Sequence, residues 1–259
     1  MQAPLLKIEK LDVGYKNRQG SKAVVTAINA TLYAGEVVAL IGMNGAGKST
    51  LLRTLSAFQP PLSGNVEFAM GDVERLSSGE LAKCVSVVLT ENNFATLTVD
   101  ELVSLGRTPY TGFLGRLTTV DKNVVAAAME RMGVSHLAKR AVSTLSDGER
   151  QKCLIAKAIA QQTPLMLLDE PTAFLDLPNK YEICLLLRRL AHKEGKSILF
   201  STHDLSIAIE LCDTIAMIEG GEFHYGTAEM LIESGEMGRI FERTQIEFDR
   251  ERGNVRLKK

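Results

Sequence analysis

The sequence predicts an α/β fold with a largely parallel sheet, because short apolar strands alternate with helices. Three runs have the composition of buried parallel strands: Val37–Ile41, Leu165–Leu168 and Ile198–Phe200. Helical patterns follow the first run over Ser49–Phe58 and separate the other two over Lys180–Lys193. Each strand ends in polar or glycine-rich sequence, and sheets of this kind bind ligands at the carboxyl ends of their strands.

The first strand runs into a phosphate-binding loop, Gly42-Met-Asn44-Gly45-Ala46-Gly47-Lys48-Ser49-Thr50. Its glycines let backbone N–H groups approach phosphates closely, and the helix that follows presents its positive end to them. Lys48 is predicted to reach the β- and γ-phosphates, and the Ser49 hydroxyl to bind Mg²⁺. The strand–loop–helix context favours nucleoside triphosphate binding over a glycine loop that only turns the chain.

Polar residues also follow the other two predicted strands. Asp169 and Glu170 come directly after the second strand, where Asp169 is suited to hold Mg²⁺ through water and Glu170 to act as general base. The alternative is an acidic pair that caps a helix before Pro171. His203 follows the third strand in a Ser-Thr-His-Asp segment, which favours a functional role at the same edge over a structural one.

The remaining elements are predicted from their periodicity. Leu5–Tyr15 alternates apolar and polar residues and is predicted to be an edge strand. Between residues 100 and 161 the strand pattern disappears, and we predict an inserted helical subdomain with helices over Val99–Leu105, Val120–Met132 and Glu149–Ala160. After Gly226 we predict a polar tail that ends in a small hairpin, residues 245–249 with 253–257.

Charge and composition narrow the classes of function. The chain has 259 residues, with 30 Lys and Arg against 31 Asp and Glu, so no basic surplus favours a nucleic-acid partner. No apolar stretch reaches the ~18–20 residues of a membrane-spanning helix, and residues 1–12 lack the apolar segment of a signal peptide. The four cysteines are isolated, which favours buried thiols in a reducing compartment. We expect a cytoplasmic protein that reaches a membrane only through a partner.

A second motif, Leu145-Ser146-Asp147-Gly148-Glu149-Arg150-Gln151, resembles the signature sequence of ABC-type ATPases. The resemblance covers nearly the whole chain and implies that two copies hydrolyse ATP between them. It implies adenine stacking by Tyr15, contact of Ser146 and Gly148 with the γ-phosphate bound to the opposite copy, a link between the two sites through Ala173–Asp176, and γ-phosphate sensing by His203. An ordinary strand aromatic is the alternative for Tyr15.

The chain departs from the family pattern near the expected phosphates. Asp147 stands where the family has glycine, and an acidic group there predicts weaker ATP-driven dimerisation. Glu149 replaces the usual glutamine, as is common in iron-uptake members. A further glutamine, which touches Mg²⁺ before the helical subdomain, is also missing. Thr90 aligns best with its position and Glu91 is the runner-up; either side chain can offer an oxygen to the cation.

The resemblance implies one ABC ATPase domain over residues 1–259, with a P-loop NTPase (RecA-like) core and an N-terminal antiparallel β part. The nucleotide-binding α/β core is expected at residues 1–88 and 162–225. The helical subdomain with the signature motif is expected at residues 89–161, and a C-terminal extension at residues 226–259.

The stretch Glu101–Tyr110 resembles one importer branch of this family, which takes up ferric siderophores, haem and cobalamin. The implied assembly is a homodimer beneath two integral-membrane permease subunits at the cytoplasmic face of the membrane. A periplasmic or surface substrate-binding protein is an indirect partner, ATP and Mg²⁺ are the cofactors, and no nucleic acid is bound. Tyr110, Phe113 and Leu114 lie either near the groove for the membrane subunit or as core or loop anchors.

An iron chelate, either a ferric siderophore or haem, is the expected cargo, and cobalamin is the alternative. A soluble ABC ATPase that acts on DNA or the ribosome is the rival from another class. Such proteins usually carry coiled-coil insertions or two tandem ATPase domains, and the sequence contains neither.

Overall fold

The computed structural model describes residues 4–17, 20–89, 96–112, 115–242, 244–250 and 253–258. The strands are β1 (Pro4–Asn17), β2 (Gly20–Tyr33), β3 (Val37–Gly42), β4 (Ser63–Phe68), β5 (Gly71–Asp72), β6 (Val85–Val88), β7 (Leu165–Leu168), β8 (Ser197–Ser201), β9 (Thr214–Glu219), β10 (Glu222–Gly226), β11 (Ile246–Asp249) and β12 (Asn254–Leu257). The helices are α1 (Lys48–Leu55), α2 (Ser78–Cys84), α3 (Val99–Ser104), α4 (Thr119–Arg131), α5 (Asp147–Ala160), α6 (Leu177–Glu194), α7 (Leu205–Leu211), α8 (Ala228–Glu233) and α9 (Glu236–Arg239). A 3₁₀ helix, Leu105–Tyr110, continues α3.

The larger sheet confirms the predicted α/β class. Its strand order is β10-β9-β3-β8-β7-β6, and all its neighbours are parallel except β10, which is antiparallel to β9. Strands β3, β7 and β8 are the three predicted from sequence, and every residue in them is buried. Because these strands are adjacent and parallel, the segments that follow them meet at one edge of the sheet.

The smaller sheet is antiparallel, with the order β2-β1-β4-β5. The prediction that the first strand lies at an edge is wrong, because β1 pairs with β2 on one side and β4 on the other. Leu6 and Ile8 alternate with exposed residues, and after a register shift Leu11 and Val13 continue the buried face. These four lie in a core that also contains Leu51 of α1. Alternation reports one buried face, and central and edge strands share that pattern, so the sequence did not distinguish them.

Helices α3, α4 and α5 pack together and carry a buried ion pair. Arg107 Nε donates to Asp121 Oδ1 at 2.9 Å, and Arg107 Nη1 donates to the carbonyl of Ala160 and to Gln162 Oε1, both at 2.9 Å. Hydrogen bonds from Thr118, together with Arg107, lower the pKa of Asp121 to about 2. The three predicted helices here are present, with ends displaced by no more than two residues; the proposed boundaries of the subdomain stay a prediction.

The C-terminal part is not a polar tail, and that prediction is wrong. Helices α8 and α9 follow Gly226, and Leu231, Met237 and Phe241 pack with α7 and with the face of β3 that carries Ile41. The predicted hairpin is present as β11 and β12. Short helices with few apolar residues give a weak periodic signal, so these two segments looked polar in sequence.

The cysteines of the chain are free: Cys84, Cys153 and Cys184 are buried and Cys212 is half-buried. Burial raises the pKa of the Cys153 and Cys184 thiols to about 12, so these thiols are unreactive at neutral pH. None of the helices in the described ranges is both long and apolar enough to cross a membrane.

Candidate nucleotide-binding site

The phosphate loop joins β3 to α1, and its conformation requires glycine at two positions. Gly42 has φ +155, and a Cβ there would lie 2.6 Å from the carbonyl oxygen of Ile218. Gly47 has φ +111, and a Cβ there would lie 2.7 Å from Val24 Cγ1 and 2.8 Å from Val25 Cγ2. Any larger residue clashes with the neighbouring strands, so these glycines let the loop pack tightly against β2 and β9.

Lys48 begins α1 and is only 6% exposed. Its ammonium group donates to the carbonyls of Gly42 at 2.9 Å and Met43 at 3.2 Å, and lies 3.4 Å from His203 Nε2. The pKa of Lys48 is lowered, because burial disfavours the charged ammonium. The nearby negative charges of Glu170 and Asp169 act in the opposite direction and have the smaller effect. The loop therefore holds the Lys48 ammonium against its own carbonyls. When a nucleotide binds, its phosphate oxygens can replace these carbonyls as the partners of the ammonium.

A cavity of about 480 Å³ lies over this loop. It is lined by Tyr15, Lys22, Val24, Asn44, Gly45, Gly47, Lys48, Ser49, Thr50 and Glu170. Tyr15 is 55% exposed, and its hydroxyl lies 2.9 Å from Thr50 Oγ1, so its ring borders the cavity. Ala46 is half-buried in the turn of the loop and donates its N–H to the carbonyl of Met43 at 3.1 Å.

Lys22 and Val24 of this cavity were not predicted from the sequence. Both lie on β2, which carries no motif, and their positions follow only from the packing of β2 over the phosphate loop. Lys22 adds a cationic group to the wall of a cavity that already contains Lys48.

The carboxylates after β7 are linked to the end of β8 by Ser201. The Ser201 hydroxyl donates to Asp169 Oδ1 at 2.7 Å and accepts from the Glu170 N–H at 2.8 Å. Glu170 Oε1 lies 2.8 Å from His203 Nε2, so the two side chains that follow adjacent strands share a hydrogen bond. Ser201 was missed as a site residue; its position at the end of a buried strand, two residues before His203, was the available signal.

The alternative that Asp169 and Glu170 cap a helix is wrong. The next helix, α6, begins at Leu177, and its N-cap is Asp176, whose side chain accepts from the Asn179 N–H at 3.2 Å. Glu170 instead adopts φ +49, a left-handed conformation that is rare for glutamate and that places its carboxylate beside His203.

The signature residues lie at the start of α5. Ser146 is the N-cap: its Oγ accepts from the Glu149 N–H at 3.2 Å, and its own N–H donates to Glu149 Oε2 at 2.8 Å. The Ser146 hydroxyl also donates to Glu149 Oε2 at 3.0 Å, and the two bonds that Ser146 donates to this carboxylate lower the pKa of Glu149. Asp147 forms an ion pair with Arg150 one turn later. A Cβ on Gly148 would lie 3.0 Å from Leu175, so glycine allows the loop after β7 to pack closely here.

The start of α5 borders a second cavity of about 670 Å³. It is lined by Ser146, Asp147, Gly148, Glu149, Lys152, Phe174, Leu175, Asp176 and Asn179. It shares no residue with the cavity over the phosphate loop. We name the residues Lys48, Asp169, Glu170, Ser201 and His203 the phosphate cluster, and Ser146, Asp147 and Gly148 the signature surface. Thr90, Glu91, Phe113 and Leu114 lie outside the described residues.

The fold and the phosphate cluster define a P-loop nucleotide-binding ATPase. Residues 25–173, more than half of the chain, match the family model described as ABC transporter. The chain therefore belongs to the ABC transporter ATP-binding family, and its members bind and hydrolyse ATP.

Curated relatives agree with this assignment. An uncharacterised ABC transporter ATP-binding protein of Methanocaldococcus jannaschii is 37% identical over 98% of this chain and 87% of its own length. The iron(3+)-hydroxamate import ATP-binding protein of Bacillus subtilis is 38% identical over 86% of this chain and 82% of its own. The cobalamin import ATP-binding protein of Halobacterium salinarum is 38% identical over 78% of this chain and 50% of its own.

Solved structures extend the likeness to the whole fold. An inward-facing metal-chelate type ABC transporter matches with a TM-score of 0.78 and 29% identity, over 92% of this chain and 89% of its own. A dimeric ATP-binding cassette in a post-hydrolysis state with ADP and Pi matches with a TM-score of 0.77 and 26% identity, over 86% of this chain and 98% of its own.

Proposed function

We propose that the chain is the ATP-hydrolysing subunit of an importer for an iron chelate. Two copies act as a homodimer beneath two membrane permease subunits, at the cytoplasmic face of the membrane. A surface or periplasmic substrate-binding protein delivers the cargo. The observation that carries the proposal is the hydrogen-bonded series Lys48, His203 and Glu170 beside the cavity over the phosphate loop, with contacts of 3.4 Å and 2.8 Å.

In this proposal ATP binds to the residues of the 480 Å³ cavity. The ring of Tyr15 stacks on the adenine. To do so, Tyr15 gives up the hydrogen bond between its hydroxyl and Thr50. The N–H groups of the phosphate loop and the ammonium of Lys48 bind the β- and γ-phosphates, where they stabilise the charge that develops during phosphoryl transfer.

The residues present fit a magnesium ion. The Ser49 hydroxyl and the Asp169 carboxylate are hard oxygen donors of the kind Mg²⁺ takes alongside substrate phosphates and water. Asp169 is 4% exposed and its Oδ1 accepts from Ser201, so its carboxylate is fixed in orientation. Thr90 is proposed as a further oxygen donor. When bound, Mg²⁺ neutralises charge on the β- and γ-phosphates.

Glu170 is proposed as the general base that orients and deprotonates the attacking water. Its carboxylate is held by His203 at 2.8 Å and lies at the wall of the same cavity as Lys48. His203 also lies next to Lys48, so it is placed to contact the γ-phosphate and to report its presence to Glu170. General-base catalysis of this kind contributes ~10²–10⁴-fold in rate.

The signature surface is proposed to complete the site on the opposite copy. Ser146 and Gly148 contact its γ-phosphate, and Asp176, at the far end of the loop after β7, lies between the two sites. Closure of the dimer then excludes water and assembles the full set of catalytic groups.

Replacement of Glu170 by Gln tests the enzymatic part of this proposal. The variant is expected to bind ATP as the wild type does and to lose at least ~10²-fold in turnover, because the amide cannot accept the proton of the attacking water. Equilibrium ATP binding and phosphate release are the measurements. Wild-type turnover in this variant would contradict the assignment of the base.

Uptake in a strain that lacks this chain tests the cargo. Labelled ferric siderophore, haem and cobalamin are compared in the deletion strain, in the complemented strain and in a Glu170→Gln complement. Loss of iron-chelate uptake that only the wild type restores supports the proposal. Loss of cobalamin uptake alone would favour the alternative, for which the Halobacterium relative is the supporting observation.

A further inference from the structure

Phe174 is an exposed aromatic side chain held in an unfavourable backbone conformation. It lies in the turn between β7 and α6, is 66% exposed, and has φ +65. Left-handed φ values are outliers for bulky residues and carry a conformational cost. The same turn contains Glu170, which is also left-handed. Within the single chain the packing of Phe174 does not offset this cost, because most of its surface faces solvent.

A further cavity, of about 650 Å³, is lined in part by Glu170 and His203. Glu170 also lines the cavity over the phosphate loop, so the two cavities meet at this side chain. The apolar part of the lining of the 650 Å³ cavity comes from Ala173, which precedes Phe174, from Leu205 at the start of α7, and from Phe241, Ile246 and Val255 of the C-terminal extension; Lys180 and Asp204 are among its polar lining residues. The C-terminal hairpin therefore forms one wall of a cavity that opens beside the proposed general base. This cavity has the volume that an aromatic side chain requires, and the apolar part of its lining offers the ring a surface on which to pack.

One observation and the proposed dimer relate the cavity to Phe174. Phe174 lines the 670 Å³ cavity of the signature surface together with Ser146 and Gly148. In the proposed dimer, Ser146 and Gly148 reach the γ-phosphate on the opposite copy, next to that copy's phosphate cluster. Because Phe174 lies beside Ser146 and Gly148, the same dimer brings it close to the phosphate cluster of the opposite copy. The 650 Å³ cavity of that copy opens there, beside its Glu170 and His203.

We propose that Phe174 of each copy inserts into the apolar cavity formed by α7 and the C-terminal hairpin of the other copy when the dimer closes on ATP. This inference rests on the proposed function, since it uses the ATP-bound homodimer. Burial of the phenyl ring offsets the backbone cost of its turn, and the turn lies next to the general base that hydrolysis requires. The C-terminal extension is thereby a part of the dimer interface.

Cross-linking between two differently tagged chains tests the contact. One chain carries Phe174→Cys and the other Val255→Cys, both in the Glu170→Gln background that retains ATP. With ATP and a short bismaleimide, a heterodimer band is expected on denaturing gels. Pairing Phe174→Cys with Val120→Cys, a residue that is 68% exposed and does not line this cavity, is the matched control and is expected to give none. The unsubstituted background controls for the native cysteines.

The oligomeric state separates the two proposals. Sedimentation of the same ATP-bound samples is expected to show a dimer. A dimer with no cross-link above the control would overturn the Phe174 contact and leave the proposed function standing. Absence of any ATP-dependent dimer would overturn the proposed function itself.

Substitution of the ring gives a second measurement. Phe174→Ala is expected to raise the dissociation constant of the ATP-bound dimer about 10-fold, as for a central apolar anchor of an interface, and Phe174→Leu to restore much of it. ATP binding to the monomer is expected to stay unchanged. An unchanged dimer affinity in Phe174→Ala would contradict the inference.

Discussion

The phosphate cluster and the signature surface are built in opposite ways. Asp169 and Ser201 are buried at the ends of adjacent strands and Lys48 is buried at the start of α1, and each is hydrogen-bonded to a different element of the fold. Ser146 and Asp147 are exposed at the start of one helix, and their partners, Glu149 and Arg150, lie within the next turn. One region is organised by the core of the protein, the other mainly by helix capping, with Gly148 packed against Leu175 of the loop after β7.

This difference indicates whether each region forms a complete binding site within one chain. A buried cluster of charges with fixed orientations is already arranged for the substrate that enters its cavity. The signature surface also borders a cavity, but its exposed side chains are bonded to their own helix and no phosphate loop lines that cavity, so a second molecule has to supply the remainder of a site. The two regions together are consistent with catalysis between two copies.

The largest effect is expected from Lys48→Ala, which removes the cation of the phosphate cluster. The variant is expected to lose about 100-fold in ATP affinity, because charge-assisted bonds to phosphate are among the strongest polar contacts. Isothermal titration measures it. Lys22→Ala, which removes a cation from the cavity wall and not from the loop, is the matched control with a smaller expected loss. Equal losses in both variants would contradict the special role of Lys48.

The next effect concerns the helices that carry the signature surface. Arg107→Met breaks the buried pair with Asp121 and also removes the bonds to Ala160 and Gln162. We expect Tm to fall by roughly 5–10 °C. Arg131→Met, which breaks an exposed pair with Glu194, is the control and is expected to change Tm little.

The pH dependence of that pair sharpens the same measurement. The pKa of Asp121 is lowered in the folded state from 3.8 to about 2, so its stabilising contribution is present above pH ~4. It is lost as the pH falls from about 4 toward 2. Most of this shift comes from the hydrogen bonds of Thr118, so the variant that reports it is Asp121→Asn, and its Tm difference from wild type is expected to narrow as the pH falls from about 4 to 2. A constant difference over this range would contradict the role of the ionised carboxylate.

A smaller effect is expected from Ser201→Ala. The hydroxyl orients Asp169 and bonds the Glu170 N–H, but it does not touch the nucleotide in the proposed mechanism. We expect turnover to fall about 10-fold and KM for ATP to change little, with partial rescue by Ser201→Thr. A fall in thermal stability that fully accounts for the lost turnover would indicate a purely structural role.

The smallest effect is expected at the signature surface. Asp147→Gly removes a negative charge from the start of α5, and we expect ATP-dependent dimerisation to strengthen a few-fold, more at low salt than at high salt. Asp147→Asn keeps the size of the side chain and separates charge from shape. Sedimentation of the ATP-bound dimer is the measurement. Unchanged dimer affinity, ATP affinity and hydrolysis in both variants would remove the predicted role of Asp147.

The sequence predicted the parts of the fold that depend on local patterns. Strands β3, β7 and β8 were located to within a residue at each end, because fully buried parallel strands are continuous apolar runs. The phosphate loop and the acids after β7 followed from their position at strand ends. The edge assignment of β1 and the polar tail failed because both depend on which distant segments pack there.

The site residues that stand in a sequence motif could be predicted. Those that reach the site only through the packing of distant segments could not. Lys48, Glu170 and His203 stand in recognisable segments, and the structure brings their side chains into contact. Lys22 and Val24 reach the cavity because β2 crosses the phosphate loop, which no local pattern indicates. The cavity beside His203 depends on the packing of Phe241, Ile246 and Val255 near the start of α7, at long range in the chain.

The order of strands in the larger sheet has a consequence for synthesis of the chain. Strand β3, which carries the phosphate loop, has its two neighbours in β8 and β9, and Val37 pairs with Ile198. A nascent chain shorter than about 200 residues has no partner for either edge of β3, and such distant pairings form slowly. The glycine-rich loop therefore emerges from the ribosome long before it has a sheet to support it. We expect ATP binding to begin only once β8 and β9, the second of which ends at Glu219, have been made.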